Sequence, residues 1–323
     1  MLSAILAATD RIDTTDPVVL AGADLARFHG ARLRVVFVQE TIDTERSGRQ
    51  DRAPDGAPTI RNQLLDIYKT ALRDLPAVEV EIDRGQPWPV ITRSAADMGA
   101  DLIVLGHQSR RSTTEKDLPV VGRIGSTVKG VITREWCPVM VINRPVRLLG
   151  EGMRNVIVGI DFSPACECAL LFAARMARFA DAAVIPVHMV PIPPHPKYSR
   201  EDFESDRRHA MSHLRRFCTV SLTGVRHAFI VVGGLLPHLA LLSKAASLKS
   251  DLLVLGSHIR DRRGKWYPGS VVEKTTGTSP CPVVVVNGPA AWSTRPEESE
   301  RMQGDEDRID RQIRVFTKRV HPP

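Results

Sequence analysis

One unit is written twice in this chain, at an offset of about 150 residues, and that repeat limits the fold more than any other feature. In the first half GADLIVLGHQSR is followed by a loop and GSTVKGVITREWCPVMVINRP; in the second, KSDLLVLGSHIR is followed by a shorter loop and GSVVEKTTGTSPCPVVVVNGP. Upstream, SAILAATDRIDTTDPVVLAGADLARFHGARLRVVFVQE answers NVIVGIDFSPACECALLFAARMARFADAAVIPVHMV. Asp10 and Asp161 fall in equivalent places, each closing an apolar run.

Each unit reads as five strands alternating with four helices. The strands are near-continuous runs of Val, Ile and Leu, the pattern of strands covered on both faces, which means a parallel sheet between two helix layers. The fold class is therefore α/β: two repeated open, mainly parallel five-stranded sheets flanked by helices, Rossmann-like. In the second unit the pattern predicts strands over 155–160, 183–189, 226–232, 252–256 and 283–286, and helices over 166–179, 200–220, 237–247 and 270–276. The expected domains are 1–148 and 149–289. A charged tail over 290–323 is expected to be disordered or a loosely attached helix, and the joins over 43–58 and 191–196 are expected to be mobile.

Composition narrows the function classes. With 323 residues and 43% hydrophobic content, two ordinary domains with real cores are within reach. No run approaches the roughly 18 apolar residues of a membrane span, and the N-terminal segment lacks a basic n-region, so the reading is a cytoplasmic protein without membrane contact. Five cysteines, odd in number and scattered, read as reduced thiols that pack. A net charge of +7 suits an anionic partner, but 5% aromatic content leaves little on which to stack bases, so nucleic acid is not favoured.

In open parallel sheets ligands bind beyond the carboxyl ends of the strands, where strand order reverses. Asp161 and Gly256 sit at such ends. Gly256 reads as a residue giving the backbone freedom, and Gly269-Ser270 opens a helix whose first turn offers N–H groups and a positive dipole end to phosphate. Between them Arg260, Arg262, Arg263 and Lys265 either neutralise a polyphosphate or solubilise a surface loop.

These segments, VIVGIDFSPACECAL, DLLVLGSH and GSVVEKTTGTSPCPVVVVN, resemble the universal stress proteins, in particular tandem two-domain members with HUP-type folds. Nucleotide-binding members carry Gly, two residues, Gly, nine residues, then Gly and Ser or Thr. Here Gly256, Gly269 and Ser270 keep that spacing, with Ile259 at the middle Gly. In the first unit Ser109 takes the middle place between Gly106 and Gly125-Ser126, and the following loop is six residues longer. A β-branched residue at the middle position adds bulk and resists positive φ, which predicts weakened or altered triphosphate binding.

The resemblance implies ATP or another adenine nucleotide, with Mg²⁺. It sets Asp161 beside adenine and ribose, the Met189 backbone facing adenine, and Gly256, Ile259, Gly269, Ser270 and Val271 around the phosphates. The first-unit counterparts are Asp10, Val38, Gly106, Ser109, Gly125, Ser126 and Thr127. Each has a structural alternative: Asp161 as a turn residue, Met189 as core, Ser270 as a helix cap. By the same resemblance CPVMVIN and CPVVVVN pair antiparallel, making the halves a pseudo-dimer, and association of whole chains into a homo-oligomer is expected.

Other signals are weaker. His209 and His213 stand four apart on one helix face but lack the Glu of a metalloprotease motif, so a solvent-facing pair is expected and no metal site. Cys166 and Cys168 read as buried or partly buried helix residues. Gly264-Lys265 is followed by Trp266, not the Ser or Thr of a phosphate-binding P-loop. The resulting expectation is a regulatory binding module, not an enzyme. A nucleotide-independent scaffold and a slow ATPase or adenylyl transferase are the alternatives.

Overall fold

A computed structural model describes residues 2–12, 16–40, 56–107, 124–135, 137–143, 152–193, 198–257, 260–262, 265–267 and 269–288. The tail over 290–323, Ser109, Ile259 and Arg263 lie outside the described residues, as do 43–55 of the first expected mobile join and 194–196 of the second. Of those joins, Pro58 belongs to the first turn of a helix and Pro191 ends a strand.

The first half runs β1 (Ala4–Thr9), α1 (Pro17–His29), β2 (Arg32–Gln39), α2 (Ala57–Ile67), α3 (Lys69–Leu72), β3 (Val78–Arg84), α4 (Pro87–Met98), β4 (Leu102–Gly106), α5 (Ser126–Ile132) and β5 (Val139–Ile142). The second half repeats it as β6 (Asn155–Ile160), α6 (Pro164–Ala180), β7 (Ala183–Pro191), α7 (Arg200–Cys218), β8 (Ile230–Gly234), α8 (Pro237–Ser247) and β9 (Leu252–Ser257). A short pair β10 (Arg260–Arg262) and β11 (Lys265–Tyr267), then α9 (Ser270–Thr278) and β12 (Val283–Asn287), complete it.

All the long strands join one ten-stranded sheet, ordered β3-β2-β1-β4-β5-β12-β9-β6-β7-β8. Every neighbouring pair is parallel except β5 and β12, which run antiparallel with Val284 opposite Met140. Each half therefore has the same order, and the expected antiparallel pairing of the two final strands joins them. The apolar runs sit where both faces are covered: Leu252, Leu253, Val254, Val283 and Val284 are completely buried. Burying such a side chain contributes about 1.5–3 kcal/mol, so the central strands dominate the core. One face packs α1, α2, α6 and α7; the other packs α4, α5, α8 and α9.

Two pairs of polar residues lock the repeat. Asp101, just before β4, accepts hydrogen bonds on Oδ2 from the N–H groups of Ser3 (2.6 Å) and Ala4 (3.1 Å). Asp251 does the same before β9, from Arg154 (2.7 Å) and Asn155 (2.9 Å). Across the halves, Asn143 Nδ2 donates to the Thr276 carbonyl (2.8 Å) at the end of α9, while Asn287 Nδ2 donates to the carbonyls of Ile132 (2.8 Å) and Glu135 (2.5 Å) at the end of α5. Each unit thus supplies a side chain to carbonyls that the other unit's last helix leaves unpaired. On the opposite face Phe28 meets Phe179 edge-on (4.8 Å), and His29 stacks on Phe179 (4.5 Å).

Three local expectations are corrected. β8 begins at Ile230, not 226, and only an isolated bridge ties His227 to Val184. At that bridge the Val184 N–H donates to the Arg226 carbonyl (2.8 Å) and the Ala228 N–H to the Val184 carbonyl (3.2 Å), and the continuous ladder starts only where Ile230 meets Val187. The basic loop after β9 contains the antiparallel β10–β11 pair, with Arg262 opposite Lys265. His213 does not face solvent, because its ring stacks on Phe162 (4.0 Å, 18°); His209 is exposed.

Candidate functional site

Strand order reverses beside β6, which pairs with β7 on one side and β9 on the other. The crevice this leaves at the carboxyl ends is where the sequence placed a ligand. Asp161 is exposed immediately beyond β6, and Gly256 lies in β9 one residue past Leu255, the partner of Gly159. Met189 is half-buried in β7, one residue past His188, the partner of Ile160.

The turn from β6 into α6 is built by its own side chains. Ser163 caps α6, its hydroxyl accepting from the Cys166 N–H (3.2 Å), and Pro164 starts the helix at φ it already prefers. Asp161 Oδ1 accepts from the Ser163 N–H (3.0 Å) and from the Cys166 thiol (2.8 Å). Asp161 is thus a turn residue and at the same time an exposed carboxylate at the crevice mouth. Cys166 is 3% exposed, and burial followed by the neighbouring Asp161 charge pushes its thiol up to about 12, so it stays protonated as a donor. Phe162 takes φ 64°, a conformation costly for a residue with a Cβ, and its ring is held by His213, His188 (4.4 Å) and Phe217 (5.5 Å). Burial, then Arg216 and His188, lowers the His213 pKa.

Gly256 is required for a different reason from the expected one. Its φ is not positive; a Cβ there would sit 2.5 Å from the Ala165 carbonyl carbon and 2.6 Å from the Cys166 nitrogen. The glycine lets the first turn of α6 press against β9. Gly269 contrasts with it: φ −56°, ψ 151°, and nothing within 4 Å of a Cβ.

Gly269, not Ser270, is the N-cap of α9; Ser270 is exposed and Val271 half-buried in its first turn. Among the described helices, α1, α6 and α7 have side-chain caps, and α2, α4 and α8 carry Pro in the first turn. Apart from the four-residue α3, only α5 and α9 have neither, so their first-turn N–H groups are left for other acceptors. Beside α9, at the end of β9, Ser257 is 3% exposed and among the described residues its hydroxyl has no hydrogen-bond partner. Sequence reasoning missed Ser257, the Cys166 thiol and the Phe162 stack. Of these only the stack leaves a trace, since His213 and Phe217 stand four apart on one helix face.

In the first unit Asp10 is exposed just beyond β1, Val38 is buried core in β2, and Gly106 ends β4. Gly125 caps α5, with Ser126 exposed and Thr127 half-buried behind it. The cap of α1 is Asp16, which is 1% exposed, accepts from the Val18 N–H (2.9 Å) and receives the Thr9 hydroxyl. Burial raises its pKa. Among the described residues no group of three or more His, Cys, Asp or Glu is placed to hold a metal ion, and no helix is long and apolar enough to cross a membrane.

The universal stress protein family model matches residues 1–143 and again 152–287. No curated protein matches the chain. Among solved structures, a universal stress protein from Archaeoglobus fulgidus DSM 4304 is 18% identical, covering 88% of this chain and 96% of its own, with a TM-score of 0.58. A putative universal stress protein from Pseudomonas aeruginosa UCBPP-PA14 is 13% identical, covering 90% and 95%, with a TM-score of 0.64. A functionally unknown protein from Pseudomonas aeruginosa PAO1 is 12% identical, covering 93% and 98%, at 0.63. These likenesses extend the agreement in fold over nearly the full length. With the family pattern matched once in each half of a single ten-stranded sheet, the chain belongs to the universal stress protein family, as a tandem two-unit member.

Proposed function

We propose that the chain is a regulatory module that binds one adenine nucleotide, ATP in the first instance, in the crevice between β6 and β9 of the second unit. The observation that carries this reading is the first turn of α9, which begins at a glycine with open space beside it and has neither a capping side chain nor a proline. Phosphate suits such a helix start. Ser257 adds a buried hydroxyl with no hydrogen-bond partner among the described residues, and Asp161 a carboxylate at the mouth for ribose or base. The residues present fit a nucleotide, with Gly256, Gly269, Ser270 and Val271 toward phosphate and Met189 toward adenine; Mg²⁺ would travel with the phosphates. The domain limits proposed are 1–148 and 149–289.

The module acts by occupancy and not by turnover. The buried thiol at the site is held protonated, which removes it as a nucleophile. Five free cysteines suit a reducing compartment such as the cytoplasm.

Gly269→Val tests the site with little disturbance of the fold, because φ −56° accepts any residue and a Cβ there meets nothing within 4 Å. Calorimetric titration with MgATP is expected to give saturable heat in the parent and none in the variant, at equal melting temperature. Equal binding in both would remove the nucleotide from this crevice.

A further inference from the structure

The two outer strands of the ten-stranded sheet are β3 and β8, and they are finished differently. An outer strand presents unpaired N–H and C=O groups to any strand that arrives, and charged side chains are the common defence. β3 carries three carboxylates. Glu79 bonds Arg34 (2.9 Å), Glu81 accepts from the Ser94 hydroxyl (2.5 Å), and Asp83 pairs with Arg93. With Arg84 these give β3 four charged side chains, two of them already committed to arginine partners, which a strand arriving on this edge would have to desolvate.

β8 reads Ile-Val-Val-Gly-Gly and has no charge at all. Ile230 and Val232 are only partly buried against the core, and among the described residues no strand pairs with β8 on its outer side. At its carboxyl end Gly233 packs under Phe203 and Ile192 and Gly234 against Met189, so neither adds a side chain of its own to the edge. There the chain turns into α8 through Leu235, Leu236 and Leu239, which are 66%, 48% and 53% exposed. Large apolar side chains collected at one corner, beside an undefended strand edge, mark an interaction surface.

We propose that β8 is the interface through which two copies of this chain associate, strand on strand and antiparallel, with Leu235, Leu236 and Leu239 closing the joint. Antiparallel pairing about a two-fold axis is self-complementary: each copy satisfies the other's free backbone groups, and each places its leucines on its partner. The absence of charge on β8 makes that self-pairing free of like-charge contact. The chain already uses this form of pairing where β5 meets β12.

Sedimentation velocity on the full chain over a wide concentration range tests it, with Val232→Lys and the double variant Leu235→Asp, Leu239→Asp beside the parent. The expected result is a reversible dimer in the parent and loss of the dimer in both variants, with the melting temperature of the leucine variant matching the parent's at concentrations where the parent is monomeric. Leu65→Asp, which alters an exposed leucine on α2, is expected to leave the dimer intact. Should Val232→Lys fail to fold, the leucine pair decides, since both side chains are exposed. Hydrogen exchange of the 230–234 amides in the parent is expected to slow as concentration rises. A parent that stays monomeric throughout, a dimer that survives the leucine variant, or exchange indifferent to concentration would each overturn the proposal.

Discussion

The two crevices of this chain share a frame and differ in what they leave exposed. Both have the same strand order, the same carboxylate before the fourth strand, Asp101 or Asp251, and the same asparagine reaching into the other half, Asn143 or Asn287. After the first strand they part. In the first unit the connection runs from Thr9 to Asp16, whose carboxylate turns inward, caps α1 and is held by the Thr9 hydroxyl. In the second unit it is only Asp161 and Phe162 before the Ser163 cap, and the Asp161 carboxylate stays at the surface, steadied by a buried thiol. A repeat keeps the residues its sheet and its seam require and diverges where the frame makes no demand. That is where a ligand reading belongs.

The frame and the open positions respond differently to substitution, most sharply at two glycines of the same motif. Gly256→Ala is expected to destabilise by about 3 kcal/mol, because its methyl meets the α6 backbone, while Gly269→Ala stays within about 0.5 kcal/mol. Urea denaturation of the pair measures the contrast.

The seam carries an asymmetry of its own. His29 of the first unit is 3% exposed, and among the described residues its ring nitrogens have no hydrogen-bond partner; burial lowers its pKa from 6.5 to about 4. The unfolded chain takes up this proton near pH 6.5 and the folded chain holds out to about 4, so stability rises with pH across that window and is full above it. The expected span is about 3 kcal/mol, and His29→Leu should flatten it in melts run between pH 4 and 7.

The exchanged asparagines are next in size. Asn143→Ala and Asn287→Ala are each expected to cost about 2 kcal/mol by stranding helix-end carbonyls. Equal losses would confirm that the two halves brace each other, and unequal ones would show which helix depends on the seam. Smallest is the helix end where α1 uses Gly30 but α6 uses Asp181 at φ 50°. Asp181→Gly is expected to stabilise by about 0.5 kcal/mol, read as a small rise in melting temperature.

The frame was legible in the sequence because burial on both faces writes itself as unbroken Val, Ile and Leu. α8 was predicted over the residues it occupies, since Pro237 starts it and polar residues end it. β10 and β11 were not foreseen: three charged or aromatic residues have no period to detect. The site was legible only as a motif. Gly256 reads the same whether a glycine is needed for backbone freedom or for space, and only the packing of α6 on β9 separates the two. The asparagine exchange joins positions 133 and 155 residues apart, so nothing local announces it.

The most direct measurement is the stoichiometry of MgATP binding to the full chain by titration calorimetry, after removal of any nucleotide carried through purification. One nucleotide per chain, with the heat lost in Gly269→Val, is the predicted result. Two per chain would mean that the first crevice binds as the second does, and none would mean that the open first turn of α9 serves some other acceptor; either would contradict a single site in the second unit.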